Sequence, residues 1–420
     1  MKKHLSAAIA VLSAAALLAG SSIPASAAPK KPRVNLEGTV ITDEMFGLHV
    51  KNAQQGVWPD VQFGSLRLWD NDTSWANIEV APGVFDWTNL DAAVANAERN
   101  GVTDILMVLA GTPAWASTSQ CQPPNCLPTP GAAGMPTDLA LWDRWVTNVA
   151  TRYKGRINNY QPWNEANLQT FFEGTPAQMA DLTERTYNII KSIDPTATVV
   201  APSTGTRLGG PFKKFYPKYL KELGARGWPV DVWSVHTYPA SLGTTRDRYA
   251  LAETYMQVLR DAGAPEKPIW DTENNYGLKG PGPQNPDVDI EGQRAADWTA
   301  ITYLDALRLG ISRVYMYTWE PANDLWGIQY YTNTRGAQAF STVQDWLVGS
   351  TYRGCTVKAN KVTCNFLKNG KKQQVVYSAN GKKKNFTAPR GYSNVCYLNG
   401  QCSKLTRSKV RTSGPVMFTK

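Results

Sequence analysis

The chain has 420 residues, 42% of them apolar, and a formal net charge of +10 that is unevenly divided. Residues 350–420 hold 11 Lys and 4 Arg with no acidic residue, whereas residues 28–349 hold 27 basic and 34 acidic side chains and all 15 Trp. This composition excludes a disordered, collagen-like or coiled-coil chain and leaves a mildly acidic body, sized for one large barrel or two average domains, with a basic tail.

Lys2, Lys3 and His4 precede an apolar run from Leu5 to Gly20, and Ala25-Ser26-Ala27 supplies small residues before a cut. Residues 1–27 therefore read as a secretory signal. No later stretch approaches about 18 unbroken apolar residues, so a soluble, exported mature protein with no membrane span is expected.

Within residues 28–349, short apolar runs alternate with longer helical patterns, the signature of βαβ units. Eight strands are predicted, ending near His49, Trp69, Ala110, Pro162, Ala201, Thr237, Glu273 and Trp319. Helices are predicted over 90–100, 138–153, 176–193, 249–262 and 294–309, with Asp138 as a cap and Gly101 as a stop. Eight such repeats predict a (β/α)₈ barrel, whose sites form at the C-terminal ends of the strands. An open doubly wound sheet is the alternative, but no G-x-G-x-x-G follows the first strand. Pro/Gly-rich connections over 117–137, 203–229 and 275–292 are expected to wall a cleft on that face.

Residues 350–420 change character. Strands are predicted over 356–358, 362–367 and 374–378, with turns at Asn369-Gly370 and Asn380-Gly381. A small β-sandwich packed on the barrel is expected, with residues 34–42 as a candidate extra strand. Six cysteines suit an oxidising compartment. Local pairing, 121–126, 355–364 and 396–402, is the expectation among 15 connectivities. A zinc site is a weak rival, because Cys-x-x-Cys spacing is missing and only His49 and His236 follow the signal. Asp287, Asp289 and Glu291 alternate as calcium ligands would, although surface charge is the simpler reading. No cofactor is implied.

The chemistry concentrates at two strand ends. The fourth strand delivers Trp163-Asn164-Glu165 and the seventh ends Trp270-Asp271-Thr272-Glu273. Two carboxyl groups facing one another across a barrel mouth are what glycosidic cleavage uses: an acid for the leaving oxygen and a carboxylate for the anomeric carbon. No G-x-S-x-G elbow points instead to a Ser-His-Asp hydrolase.

Together with Trp75-Ala76-Asn77-Ile78-Glu79-Val80-Ala81-Pro82-Gly83-Val84-Phe85-Asp86-Trp87 and Thr112-Pro113-Ala114-Trp115, these motifs resemble the retaining glycoside hydrolases of clan A, the 4/7 barrels. The resemblance is strongest to the family 39 branch of xylosidase- and iduronidase-like enzymes, over about residues 40–350. It implies Glu165 as acid/base and Glu273 as nucleophile. It further implies that Asn164 binds the sugar 2-hydroxyl, that His236 and Tyr238 orient the carboxyl groups, and that Arg67 pairs with the nucleophile. Trp319 becomes the floor on which the sugar stacks. His49 ends the first strand in the same region, and Trp69 and Trp115 are further aromatic platforms, since sugars present C–H faces.

The resulting expectation is a secreted retaining glycosidase acting on a polysaccharide or oligosaccharide, with residues 28–349 catalytic and 350–420 a basic, disulfide-bearing β domain. A transglycosylase using the same site and a non-catalytic carbohydrate-binding wall protein are the alternatives. Export and disulfides argue against nucleic acid as the partner of the Lys371-Lys372 and Lys382-Lys383-Lys384 runs. An anionic cell-wall polymer is the functional candidate, and a solvated face the plainer one.

Overall fold

The computed structural model describes residues 34–279, 285–320 and 325–420, so the signal read over 1–27 lies outside the described residues. Eight parallel strands form the body: β1 Phe46–Val50, β2 Ser65–Leu68, β3 Asp104–Val108, β4 Asn159–Gln161, β5 Thr198–Val199, β6 Trp233–His236, β7 Ile269–Asn274 and β8 Ile311–Trp319. They pair in the order β5-β4-β3-β2-β1-β8-β7-β6. A parallel bridge between Val200 and Val232, with Ala201 N–H donating to Val232 C=O at 2.8 Å, joins the two ends and closes the ring. All eight predicted strands are present; half of them run four residues or fewer, and five are fully buried because helices cover them outside.

Among the described residues, seven longer helices alternate with the strands from β2 onward: α1 Thr88–Arg99, α2 Leu139–Arg152, α3 Pro176–Ile193, α4 Gly209–Ala225, α5 Thr245–Asp261, α6 Gly292–Leu309 and α7 Arg335–Leu347. Asp138 caps α2 by accepting from Ala140 N–H, and Thr175 with Gln178 closes a capping box ahead of Pro176. A second box, Thr244 with Asp247, starts α5 four residues before the expected Tyr249. The connection expected over 203–229 is corrected: most of it is α4. Its glycines and the internal Pro217 hide a helical face of Phe212, Tyr216, Tyr219, Leu220 and Leu223, all buried. Helix α7 was not expected either.

The tail forms a six-stranded antiparallel sheet and a two-stranded one. Its strands are β9 Thr351–Lys358, β10 Lys361–Lys368, β11 Lys371–Ser378, β12 Lys384–Thr387, β13 Asn394–Cys396, β14 Cys402–Lys404, β15 Lys409–Thr412 and β16 Val416–Thr419. Ala359-Asn360 and Asn369-Gly370, with φ of 50°, 61°, 50° and 72°, make the two tight turns of the β9-β10-β11 meander. Side-chain alternation gives the large sheet two apolar faces. Val362, Val375, Tyr377 and Met417 join the main core, while Val376, Val395, Val416 and Phe418 pack with Phe386 of the small β12–β15 sheet. Tyr377 also holds Asp305 of α6 through its hydroxyl, and Thr342 of α7 donates to Leu398 C=O at 3.3 Å. Of residues 34–42, Gly38, Thr39 and Ile41 exchange backbone hydrogen bonds with 349–352, which yields one bridge, Val40 with Thr351, and not a full strand. The disulfides are 121–126, 355–364 and 396–402, the last two linking partners directly opposite in β9–β10 and β13–β14. Among the described residues no helix is long and apolar enough to cross a membrane.

Candidate active site

The C-terminal ends of the strands open into a cleft of about 610 Å³ lined by Asn164, Glu165, His236, Tyr238 and Glu273, with Trp69, Phe171, Tyr317 and Trp326 among its aromatic walls. The loops contribute as expected: Leu127 and Pro128 come from the connection after β3, Arg207 and Leu208 from that after β5, and Leu278 from that after β7.

Backbone irregularities aim these side chains. Along β6, Val235 and His236 are consecutive, yet they pair with Asp271 and Glu273 of β7, so β7 carries one extra residue. That bulge lets the neighbours Thr272 and Glu273 both engage groups inside the mouth. Asp271 instead pairs with buried Arg248 of α5 at 2.6 Å and anchors the strand. Glu165 has a φ of 40°, a left-handed conformation unusual for Glu. Ser203 holds it there: its Oγ accepts from Glu165 N–H at 2.9 Å, and its C=O accepts from Ala166 N–H at 3.2 Å.

Arg67 of β2 is fully buried and organises the floor. Its Nε and one terminal nitrogen fork onto Gln161 Oε1 at 3.1 and 2.7 Å, and that same nitrogen donates to Asn164 Oδ1 at 2.8 Å. The other terminal nitrogen meets Glu273 Oε1 at 2.6 Å, while Tyr238 donates its hydroxyl to Glu273 Oε2 at 2.9 Å. Both Glu273 oxygens are thus held as acceptors, the pattern of an ionised carboxylate. With Asn164 Oδ1 occupied, its amide nitrogen is left to donate into the cleft.

Glu165 has weaker company. Burial raises its pKa to about 7, against the opposing charges of Arg207 and Arg67. Its Oε1 lies 3.1 Å from His236 Nδ1, and the same nitrogen lies 3.5 Å from Glu273 Oε2. Burial lowers the His236 pKa to about 3, outweighing the attraction of Glu273, so the ring is neutral. Its tautomer follows from its partners. Gln161 must direct its oxygen at Arg67, so its NH₂ donates to Ser234 Oγ at 2.9 Å. Ser234 then donates to Thr272 Oγ1 at 2.7 Å, and Thr272 to His236 Nε2 at 3.0 Å. His236 Nδ1 is left carrying the proton, aimed at the two carboxyl groups.

Such a site can hold one carboxyl group protonated near neutrality and another ionised, a division of acid from nucleophile set by environment. Residues 132–324 match the family described as the glycosyl hydrolase catalytic core. The chain is a glycoside hydrolase by its catalytic core.

Solved structures share the hydrolase's fold. A family 39 glycoside hydrolase from the gut symbiont Bacteroides cellulosilyticus WH2 superimposes with a TM-score of 0.68 at 16% identity, over 90% of this chain and 82% of that one. A family 39 β-xylosidase from Caulobacter crescentus gives 0.60 at 16%, over 92% and 98%. A family 30 endoxylanase from Clostridium papyrosolvens C71 gives 0.60 at 14%, also over 92% and 98%. No curated protein matches the chain in sequence.

Of the residues singled out in the sequence, the cleft brings together Glu165, Glu273, Asn164, His236, Tyr238 and Trp69. Arg67 joins them from beneath. His49 is buried against the same network, with Nε2 donating to Thr272 C=O at 3.0 Å and Nδ1 4.0 Å from Asp70. Two expected platforms stand elsewhere. Trp319 is 1% exposed and does not line the cleft. Leu48 and Val50 of β1 pair with Met316 and Trp319, so β8 bulges there and the alternation counted in sequence fails. Tyr317 and Trp326 wall the cleft instead. Trp115 donates its indole N–H to Glu79 C=O at 3.1 Å and lies under Arg144, away from the lining. Lys51, Asp70, Tyr317, Trp326 and Arg207 went unread. Asp70 directly after Trp69 was the one available signal, since it follows a strand end.

Proposed function

We propose that the hydrolase is a secreted retaining glycosidase that cleaves a polysaccharide or oligosaccharide by double displacement. A Glu273 oxygen attacks the anomeric carbon while Glu165 gives its proton to the departing glycosidic oxygen, leaving a glycosyl ester on Glu273. The ester removes the negative charge at Glu273, which weakens the hold of Glu165 on a proton. Glu165 then takes a proton from water, the resulting hydroxide forms the new bond to the anomeric carbon, and the ester bond breaks to restore the Glu273 carboxylate.

The observation that carries this reading is the unequal treatment of two neighbouring carboxyl groups. One is held by Arg67 and Tyr238, the other is mostly buried with a pKa raised to about 7, and both touch one imidazole nitrogen. A shared nitrogen supports the shorter separation, about 5–5.5 Å, that double displacement uses, over the roughly 6.5–9.5 Å that inversion needs. Secretion is supported by the signal-like residues 1–27 and by three disulfides. The exposed Lys371, Lys372, Lys382 and Lys383, in a tail with no acidic residue, support weak attraction to an anionic wall polymer.

The test is product release from aryl glycosides and wall polysaccharides, β-xylosides first because relatives of this fold are named for them. Wild type and Glu273→Ala are compared, and the product anomer is read by NMR. Release with retained configuration that collapses in the variant is expected. An inverted product refutes double displacement, and equal polysaccharide binding by both proteins without turnover refutes the glycosidase reading. Product growth on added sugar acceptors would make the enzyme a transglycosylase with the same residues.

A further inference from the structure

Arg207 is a cation in the catalytic cleft that the mechanism does not use. It is half-buried and lines the cleft with Glu165, Leu168, Phe171 and Leu208. Among the described residues no carboxylate lies within ion-pairing distance of it, in contrast to Arg67 and Arg248, which each meet a partner at 2.6 Å. Its loop is fixed against the acid. Asn167 Oδ1 accepts from Gly205 N–H at 3.1 Å and from the Thr204 hydroxyl at 2.9 Å, and a side chain at Gly205 would begin 3.0 Å from Glu165 Oε1. The Arg207 charge is felt at Glu165, whereas Glu273 is served by Arg67, Tyr238 and His236.

In a displacement at the anomeric carbon, the leaving group departs on the face opposite the nucleophile, toward the acid. A cation that lines the cleft with Glu165 and takes no part in the Arg67–Glu273 ion pair is placed to meet the leaving group. Left bare, it opposes the acid, because its charge favours the ionised carboxylate. A negative group on the departing sugar would neutralise that charge and leave Glu165 holding its proton. We propose that Arg207 forms a leaving-group subsite for an anionic substituent, a carboxylate or a sulfate or phosphate ester, so that the preferred substrate carries its charge on the departing residue. This rests on the glycosidase reading above and names a substrate class for the same site.

The experiment compares size-matched 4-carboxyphenyl and 4-carbamoylphenyl glycosides, as β-xylosides or with the glycone found active, in wild type, Arg207→Met and Arg207→Lys. The expected ratio of kcat/KM in wild type favours the carboxylate about tenfold at low salt, the worth of a hydrogen bond to a charged group, and shrinks as salt is added. Arg207→Met should bring the ratio near one and Arg207→Lys should keep part of it. Any effect of the substitution on Glu165 alone enters both substrates and cancels in the ratio. The alkaline limb of kcat should lie higher for the carboxylated substrate in wild type only. A wild-type ratio near one, or one that Arg207→Met leaves in place, overturns the subsite. If neither glycoside turns over, their binding to wild type and Arg207→Met decides separately: a carboxylate preference lost in the variant upholds the subsite while the glycosidase reading falls, and equal binding overturns it.

Discussion

The barrel mouth and the C-terminal sheet are both rich in cations, and they use them in opposite ways. In the mouth, Arg67 is fully buried and meets Gln161, Asn164 and Glu273 at hydrogen-bonding distance. In the sheet, Lys371, Lys372, Lys382 and Lys383 are exposed, and residues 350–420 contain no acidic side chain to pair with. Water and salt screen the second set, so it yields only a diffuse attraction, whereas a dry pair directs hydrogen bonds and shifts proton affinities. A count of charges would have ranked the tail first. Burial reverses that order.

The largest effects expected from breaking this contrast lie in the mouth. Glu273→Ala should lower kcat on the order of 10⁴-fold or more, measured on an aryl glycoside, since losing the proposed nucleophile removes a whole step. Arg67→Met should cost about 3–5 kcal/mol of stability, because it strands a buried carboxylate. Urea denaturation reads this directly, and a loss under about 1 kcal/mol would show the network to be looser than the distances imply.

Glu165 makes a pH-dependent prediction with a definite sign. Its pKa is raised in the fold from 4.5 to about 7, so the folded protein binds a proton more tightly than the unfolded chain. Stability from this group is fully present below about pH 4.5 and is lost as pH rises through 7. Glu165→Gln should therefore abolish most activity yet raise stability at pH 8 by up to about 3 kcal/mol, with little gain at pH 4. The wild-type rate should fall as pH rises through about 7 as the acid loses its proton. Equal stability of the two proteins at pH 8 would contradict the burial of that carboxyl.

A subtler change sharpens the picture of the mouth. Gln161→Glu would accept from Ser234 where Gln161 donates, reversing the hydroxyl chain and moving the His236 proton from Nδ1 to Nε2. The chain contains only three His, so ¹⁵N-histidine NMR can report the tautomer directly. An unchanged Nδ1–H in the variant would break the relay. The smallest expected effect lies in the tail: replacing Lys371, Lys372, Lys382 and Lys383 with Glu should weaken retention on an anionic polymer, by about 1 kcal/mol or less per charge, and only at low salt.

Much of the barrel was legible because its rules are local. Eight apolar runs gave eight strands, and Asp138 marked the start of α2 as its cap. Helix α4 was obscured because Gly209, Gly210 and Pro217 mimic a loop, although its apolar spacing was there to be counted. In the site, Glu165 and Glu273 were readable from motif and strand position. Trp319 was misplaced because the β8 bulge changes which residues face inward, and Trp115 because its indole is held by Glu79 C=O.

The sequence by itself determined the alternation of strands and helices and the two glutamates at the ends of β4 and β7. Those follow from spacing, hydrophobic period and residue chemistry. Only the tertiary structure decided how deeply each glutamate is held, which ring nitrogen of His236 faces them, and that Arg207 lines the cleft with Glu165. Proton affinity and orientation depend on burial and on partners tens to hundreds of residues distant, and no local pattern records those.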